Sequence, residues 1–200
     1  GRAACGVSGG TVASLMYVAE QASKDTSIRD TVMDPYALYP PGMEKGSDKP
    51  DQAGIAWDDD FGSWTGPFVM AAINTKVVRR SHALAGLPYG ADFRYDESQL
   101  CSSRAKAIFS AGGLGTLMAG TFFSPTRALL KKLLPDPGEG PDKETRDKGF
   151  FEFWAQGTDG ENTLRVKVTG QRDPGYGATS RMLAQAGLCL TQDEPSVGGG

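Results

Sequence analysis

The residues best suited to contact a ligand lie in a glycine-rich turn near the start of the sequence. The segment GVSGGT places Gly6, Ser8, Gly9 and Gly10 immediately before an amphipathic pattern. A turn at a helix N-terminus can point backbone N–H groups and a hydroxyl at an anion. The spacing matches neither the Walker pattern nor G-x-G-x-x-G. A packing turn and a ligand contact therefore both stay open, and phosphate binding is less favoured than either.

Two tyrosines are candidate proton donors. The hydroxyls of Tyr95 and Tyr176 could donate to a carbonyl oxygen, as the acids of reductases do. Both tyrosines stand beside glycine and aspartate in turn-rich segments, where tyrosine is often a packing residue whose hydroxyl is already bonded. The packing role is the favoured interpretation.

The remaining polar clusters point away from metal and nucleophilic chemistry. Asp58, Asp59 and Asp60 are adjacent, so their side chains alternate in direction, and such runs are usually solvated. His82 is the single histidine and has no serine or cysteine motif near it, so we expect a structural or exposed role.

The cysteines and the overall charge exclude further classes of protein. Three widely spaced cysteines without a C-x-x-C pair support neither zinc nor disulfides and suit a reducing, intracellular compartment. A net charge of -3 provides no basic field for nucleic acid.

Helices and strands alternate irregularly along the chain. Apolar spacing predicts a helix from Thr11 to about Ser23, and Pro67 and Gly86 suit the start and stop of a second helix, which carries Asn74 and Thr75. A long loop is expected between Met33 and Gly54.

The second half of the chain adds strand patterns. ADFRYDE is typical of a short strand or extended piece, and FFEFWAQGTDGENTLRVKVTG of a β-hairpin before a last helix. Glu152 is expected to pair with cations on the opposite strand. These elements predict an α+β domain with a mixed or antiparallel sheet and packed helices.

Residues 107–134 have an interfacial character. Twenty residues from Ala107 to Thr126 carry no charge, but their glycines make insertion as a spanning helix marginal. A short helix follows that is leucine-rich on one side and basic elsewhere, which suits either a surface helix or a helix lying on an anionic membrane.

Six segments carry a resemblance when they are taken in order. The segments are GVSGGTVASLM, VMDPYALYPPG, FGSWTGPFVMAAINTKVVRRSHAL, YGADFRYDE, LLPDPGEGP and LRVKVTGQRDPGYGATSRML. They resemble the second domain of saccharopine dehydrogenase-like oxidoreductases, the group that includes the trans-acting enoyl reductases of lipid synthesis. The similarity runs from about Gly6 to Leu190.

The resemblance implies a substrate-side domain that normally follows a Rossmann domain. That first domain carries the G-x-G-x-x-G turn for NADP or NAD, and the present sequence has no such fingerprint, so no cofactor-binding residue is assigned in it. We therefore expect residues 1–200 to form one incomplete domain, lacking both the Rossmann domain and the C-terminal end and inactive alone. The start without methionine and the trailing TQDEPSVGGG agree with this expectation.

The implied function is NAD(P)H-dependent reduction of a lipid or polyketide-derived intermediate in lipid or glycolipid metabolism. The alternative is a non-catalytic protein that binds a lipid droplet or membrane surface. The family resemblance favours contact of residues 107–134 with such a surface. It also favours a membrane- or droplet-associated location over a cytoplasmic one. The oligomeric state stays open. Candidate membrane contacts are Leu129, Leu130, Lys131, Lys132 and Leu133; candidate substrate-binding residues, chosen on chemistry alone, are Ser8, Gly9, Gly10, Thr11, Asn74 and Thr75.

Overall fold

The chain folds as two compact units, each with its own small sheet. The computed structural model describes residues 2–4, 8–122, 125–126 and 135–193. We call residues 12–134 the central unit, and residues 1–11 together with 135–200 the terminal unit. Both described sheets are antiparallel and three-stranded, which confirms the predicted α+β class. The expectation of one incomplete substrate-side domain stays a prediction.

The described part of the central unit combines four helices with one sheet. The elements are α1 (Gly9–Lys24, whose first three residues belong to the terminal unit), α2 (Thr26–Met33), β2 (Ala56–Asp58), β3 (Ser63–Pro67), α3 (Ala71–Leu84), β4 (Ser98–Cys101) and α4 (Arg104–Phe122). The strand order is β2-β3-β4. Trp57 faces Trp64 across the first strand pair, and Trp64 faces Cys101 across the second. Helix α4 packs on β3 and β4, where its Ala107 is fully buried.

The terminal unit is built on the predicted hairpin. Its sheet has the order β1 (Arg2–Ala4), β5 (Phe150–Thr158), β6 (Thr163–Gln171). In the hairpin turn, Asp159 accepts hydrogen bonds from the backbone N–H groups of Glu161 and Asn162. The expected cross-strand ion pair forms, with Lys167 Nζ 3.0 Å from Glu152 Oε1. The elements are β1 (Arg2–Ala4), α5 (Lys143–Lys148), β5 (Phe150–Thr158), β6 (Thr163–Gln171) and α6 (Gly177–Gln192).

Short polar side chains and glycine fix the helix ends. Asp25 accepts a hydrogen bond from the N–H of Ser27 at the start of α2, and Asp142 does the same for Thr145 at the start of α5. Gly86 has a φ of 79° just after α3, a left-handed conformation that glycine adopts at little cost. The predicted stop of this helix is therefore confirmed.

Two sequence predictions for the central unit are wrong in position. Pro67 ends β3 instead of starting the helix, because residues 64–67 pair along β4 and α3 begins only at Ala71. The strand alternative for ADFRYDE is wrong, because the segment forms a turn and then irregular backbone, and the strand begins after it at Ser98.

The uncharged stretch is largely helical. Helix α4 covers most of it, and within the described part of the chain no helix is both long and apolar enough to cross a membrane. The five proposed membrane contacts, residues 129–133, lie outside the described residues.

Candidate functional site

A buried arginine on α3 organises the central unit. Arg79 is 3% exposed, and its Nε donates to Asp48 Oδ2 at 2.6 Å. The rest of the guanidinium donates to the carbonyls of Pro35 and Tyr95 and to the hydroxyl of Thr75, at 3.1 to 3.2 Å. A planar group with five donors in a fixed fork suits such a set of acceptors. We call Arg79 and Asp48, with the groups they bind, the Arg79 centre.

The long loop between Met33 and Gly54 is tied to this centre. The Tyr36 ring lies under the guanidinium, 5.6 Å from its carbon, and the Tyr36 hydroxyl accepts from the N–H of Asp48. Two neighbouring cations of α3 hold the adjoining segment, since Lys76 donates to the Val32 carbonyl and Arg80 donates to that of Leu38. Helix α3 thus holds residues 32–48 through its polar face.

The predicted site residues Asn74 and Tyr95 meet at a carboxylate. The Asn74 amide donates to Glu97 Oε2 at 2.9 Å, and the Tyr95 hydroxyl donates to Glu97 Oε1 at 2.8 Å. The Tyr95 N–H also donates to Asp48 Oδ1 at 3.0 Å. Tyr95 is therefore fixed through both its side chain and its backbone.

The surroundings of Tyr95 keep its phenol protonated. Burial, followed by the hydrogen bond to Glu97 and the charge of that carboxylate, raises the pKa of Tyr95 well above its usual range. The hydroxyl is consequently a hydrogen-bond donor and not a base. Nearby, desolvation and then the charge of Asp48 raise the pKa of Asp96.

Thr75 has a structural environment. It is fully buried, and its hydroxyl donates to the Ala71 carbonyl one turn earlier while accepting from Arg79. The chemistry that made Thr75 a candidate is thus used to satisfy the arginine.

The glycine-rich turn lies in the terminal unit, against the loop that follows residue 134. The N–H of Gly9 donates to the Glu139 carbonyl, and the Ser8 hydroxyl accepts from the N–H of Thr11 and lies 2.9 Å from the hydroxyl of Thr11. A side chain at Gly9 would overlap the Asp136 carbonyl, whereas the space at Gly10 is nearly open. The N–H of Gly9 and the hydroxyl of Ser8 therefore already have partners within the protein.

Tyr176 lies at the start of α6, in the terminal unit. Its N–H donates to Asp173 Oδ2, and its side chain is 45% exposed. Asp173 is fully buried and caps the helix. Tyr176 and Tyr95 belong to different units, so each is a separate candidate.

The remaining polar residues singled out in the sequence make local contacts. Within the described ranges, no group of three or more histidine, cysteine, aspartate or glutamate side chains could hold a metal ion. Asp58 accepts from the N–H of Phe61 in a turn. His82 is buried, with Nε2 2.9 Å from the Gly90 carbonyl.

Sequence reasoning missed Arg79, Asp48 and Glu97 as site residues. Arg79 follows Thr75 by four positions, a spacing that places the two on one helix face. The shared helix face was the one signal in the sequence that could have pointed to Arg79. The residues that accept its hydrogen bonds show no sequence pattern that links them to α3.

These features define an α+β protein with a buried arginine centre and a tyrosine held by a carboxylate. In a comparison with known proteins, the chain is 37% identical to a protein of Mycobacterium tuberculosis named as a trans-acting enoyl reductase. The alignment is 207 residues long and covers 96% of this chain and 49% of that protein. It is 34% identical to the trans-acting enoyl reductase of Mycobacterium bovis, over 94% of this chain and 48% of that protein. It is 32% identical to that of Mycobacterium ulcerans, over 93% and 48%.

The chain spans about half the length of the curated relatives it matches. No protein-family model matches the chain. No solved structure matches it significantly. The chain is thus a homologue of one half of proteins named trans-acting enoyl reductases.

Proposed function

We propose that the chain is the substrate-side part of a trans-acting enoyl reductase of the saccharopine dehydrogenase-like group. The whole protein would be an NAD(P)H-dependent oxidoreductase that reduces a carbon–carbon double bond in a lipid or polyketide-derived intermediate. The observation that supports this proposal is the similarity to the enoyl reductases along nearly the whole chain.

The described residues do not fit a nicotinamide cofactor. Dinucleotides bind at a glycine turn between a parallel strand and a helix, whereas both described sheets are antiparallel. The sequence also has no G-x-G-x-x-G turn. We therefore assign no residue of this chain to NADP or NAD, and we propose that another part of the protein binds it. By this proposal the chain alone is inactive.

Tyr95 is the residue of this chain that we propose for substrate contact. The ring of Tyr95 stays in place, and rotation about its C–O bond can redirect the hydroxyl hydrogen from Glu97 to a substrate carbonyl. The phenol stays protonated, and the Glu97 carboxylate keeps its bond from Asn74. A fixed donor of this kind stabilises the negative charge that forms on a carbonyl oxygen during reaction. Asn74 then acts through Glu97, as a positioning residue.

The test is turnover by the full-length protein. NADPH consumption would be followed with an α,β-unsaturated long-chain acyl thioester, comparing wild type with Tyr95→Phe. We expect kcat to fall roughly 10²- to 10³-fold, the usual cost of removing one such donor. Tyr89→Phe is the matched control, because Tyr89 precedes Tyr95 by six positions in the sequence but is 72% exposed, and it should retain wild-type turnover.

The outcomes separate two failures. If NADPH binds but Tyr95→Phe turns over like Tyr89→Phe, the role of Tyr95 is refuted and the reductase proposal stands. If the full-length protein neither binds nor consumes NADPH or NADH, the reductase proposal itself fails.

A lipid-surface protein is the second candidate, and one observation favours it. Phe109 is 84% exposed and Ile108 is 53% exposed at the start of α4, within the stretch predicted to contact lipid. Binding to anionic phospholipid vesicles that is lost in Phe109→Ser, together with no binding of either nucleotide, would establish this candidate in place of the reductase.

A further inference from the structure

The β5–β6 hairpin of the terminal unit has two faces of opposite character. Residues that lie opposite each other across the two strands share a face. On one face the pairs are apolar side chains and glycines, and no charge falls on it. We call this the apolar face; its residues are Phe151, Phe153, Ala155, Gly157, Leu164, Val166, Val168 and Gly170.

The opposite face is suited to water. Lys167 pairs with Glu152 at 3.0 Å, and its ammonium lies 4.7 Å from the centre of the Trp154 ring. Arg165 donates to the Gln156 side chain on the neighbouring strand. Antiparallel sheets commonly keep one solvated face and pack the other on a core. The apolar face is therefore the one that needs a covering partner.

Most of the apolar face is open to solvent. Leu164 is 70% exposed and Val168 is 53% exposed, while Phe153 and Val166 are each at least 40% exposed. The apolar side of α6, in the same unit, is open as well, since Leu183 is 73% exposed. A contiguous exposed apolar patch of this kind marks an interaction surface.

The area of the face decides between a second copy and a segment of the same polypeptide. Two strands of nine residues, at about 3.4 Å per residue and about 4.8 Å between strands, present roughly 300 Å². A stable interface between separate molecules buries about 800 Å² per partner, so a second copy on this face would bury less than half of that. A linked segment needs less area, because the linkage spares most of the entropy cost of association.

We propose that the apolar face of the β5–β6 hairpin docks the part of the full-length protein that lies outside the present sequence. The curated relatives support this occupant, since about half of each lies outside the match. The docked segment presents an uncharged, apolar side to Phe153, Leu164 and Val166. This inference rests on the proposed function, in which the chain is one part of a longer reductase.

Photo-cross-linking of the full-length protein tests the proposal. Leu164 is replaced by p-benzoylphenylalanine, which on irradiation reacts with C–H bonds in contact with it, and mass spectrometry identifies the linked peptides. We expect residue 164 to be linked to a peptide from outside the present sequence, in a product with the mass of one chain. Thr163 is the matched control position, because it is adjacent and exposed but lies on the opposite face, paired with Thr158. It should give roughly tenfold less product, since only groups in contact react.

The same replacement at Val166 keeps the test decisive should the variant at Leu164 fail to fold. The proposal is overturned by a link to residues 1–200 of the same chain, by a covalent dimer, or by a yield at both apolar positions no higher than at Thr163. Neither the irradiation nor the mass measurement involves a nucleotide. A full-length protein that fails to bind NADPH can therefore still give the expected link, so the two proposals fail independently.

Discussion

Removing the charge of Asp48 tests whether the Arg79 centre holds the central unit together. In Asp48→Asn the side chain keeps its size and can still accept from the N–H of Tyr95, but an uncharged amide faces the buried guanidinium. Both partners are at least 95% buried, and breaking such a pair by removing one partner costs about 3–5 kcal/mol. That loss is a large share of the roughly 5–15 kcal/mol that stabilises a typical domain.

The predicted loss is large enough for a simple assay. For a chain of this size each kcal/mol lowers Tm by about 2–4 °C, so Asp48→Asn should lower Tm by roughly 6–20 °C. Urea unfolding followed by tryptophan fluorescence gives the free energy of unfolding, since Trp57 and Trp64 report on the central sheet. Glu144→Gln is the control, because the Glu144–Lys148 pair is exposed on both sides, and it should change stability by less than about 1 kcal/mol.

A double variant separates two costs, that of leaving the buried Arg79 guanidinium without the Asp48 carboxylate and that of losing the contact between the two side chains. In Asp48→Leu/Arg79→Met neither member of the buried pair is left without the other. Only Asp51, which is 25% exposed and lies 3.8 Å from Nη2 of Arg79, loses its cation, so the loss should be clearly smaller than the sum of the two single losses. If Asp48→Asn unfolds within 1 kcal/mol of the wild type, the guanidinium is not held as described and the reasoning is wrong. Additive single losses would likewise refute the idea that the unpaired charge dominates.

Two further predictions concern single positions. Gly9→Ala should destabilise the protein by about 1–3 kcal/mol, because its new methyl would overlap the Asp136 carbonyl. The adjacent Gly10→Ala should instead stabilise the protein by about 0.5–1 kcal/mol. Thermal unfolding compares the two variants, and equal effects would contradict the close packing at Gly9. Asp96→Asn should raise Tm at neutral pH, because folding raises the pKa of this carboxyl through desolvation and the charge of Asp48. The gain in Tm should vanish at low pH, where the carboxyl is protonated in both the folded and the unfolded state. A gain in Tm that stays constant with pH would refute this prediction.

The elements that follow from local pattern were predictable. The hairpin strands pair in the expected way, with Phe153 opposite Val168 and Ala155 opposite Val166, because alternation and turn residues act within a short stretch of chain. The same holds for α1, where Met16 and Ala19 are buried as its apolar stripe predicts.

The burial on α3 was not predictable from its pattern. The apolar residues Ile73 and Val77 are 57% and 47% exposed, whereas Thr75 and Arg79 are buried. Charged residues are almost never fully buried unless they are paired, and the partner of Arg79 lies 31 positions away in the sequence. No local period carries that information. Among the proposed site residues, Asn74 and Tyr95 come together at Glu97, while the turn at Ser8 to Thr11 packs against its own unit.

The bonds of Arg79 also bear on how fast the central unit folds. Its acceptors on Asp48 and Pro35 are 31 and 44 positions away, and the Asp48–Tyr95 bond spans 47 positions. Such contacts form only after long loops have closed, and their entropy cost slows folding. If the centre forms after the rate-limiting step, its variants accelerate unfolding and leave the folding rate nearly unchanged. The Arg79 centre would then set the lifetime of the native state.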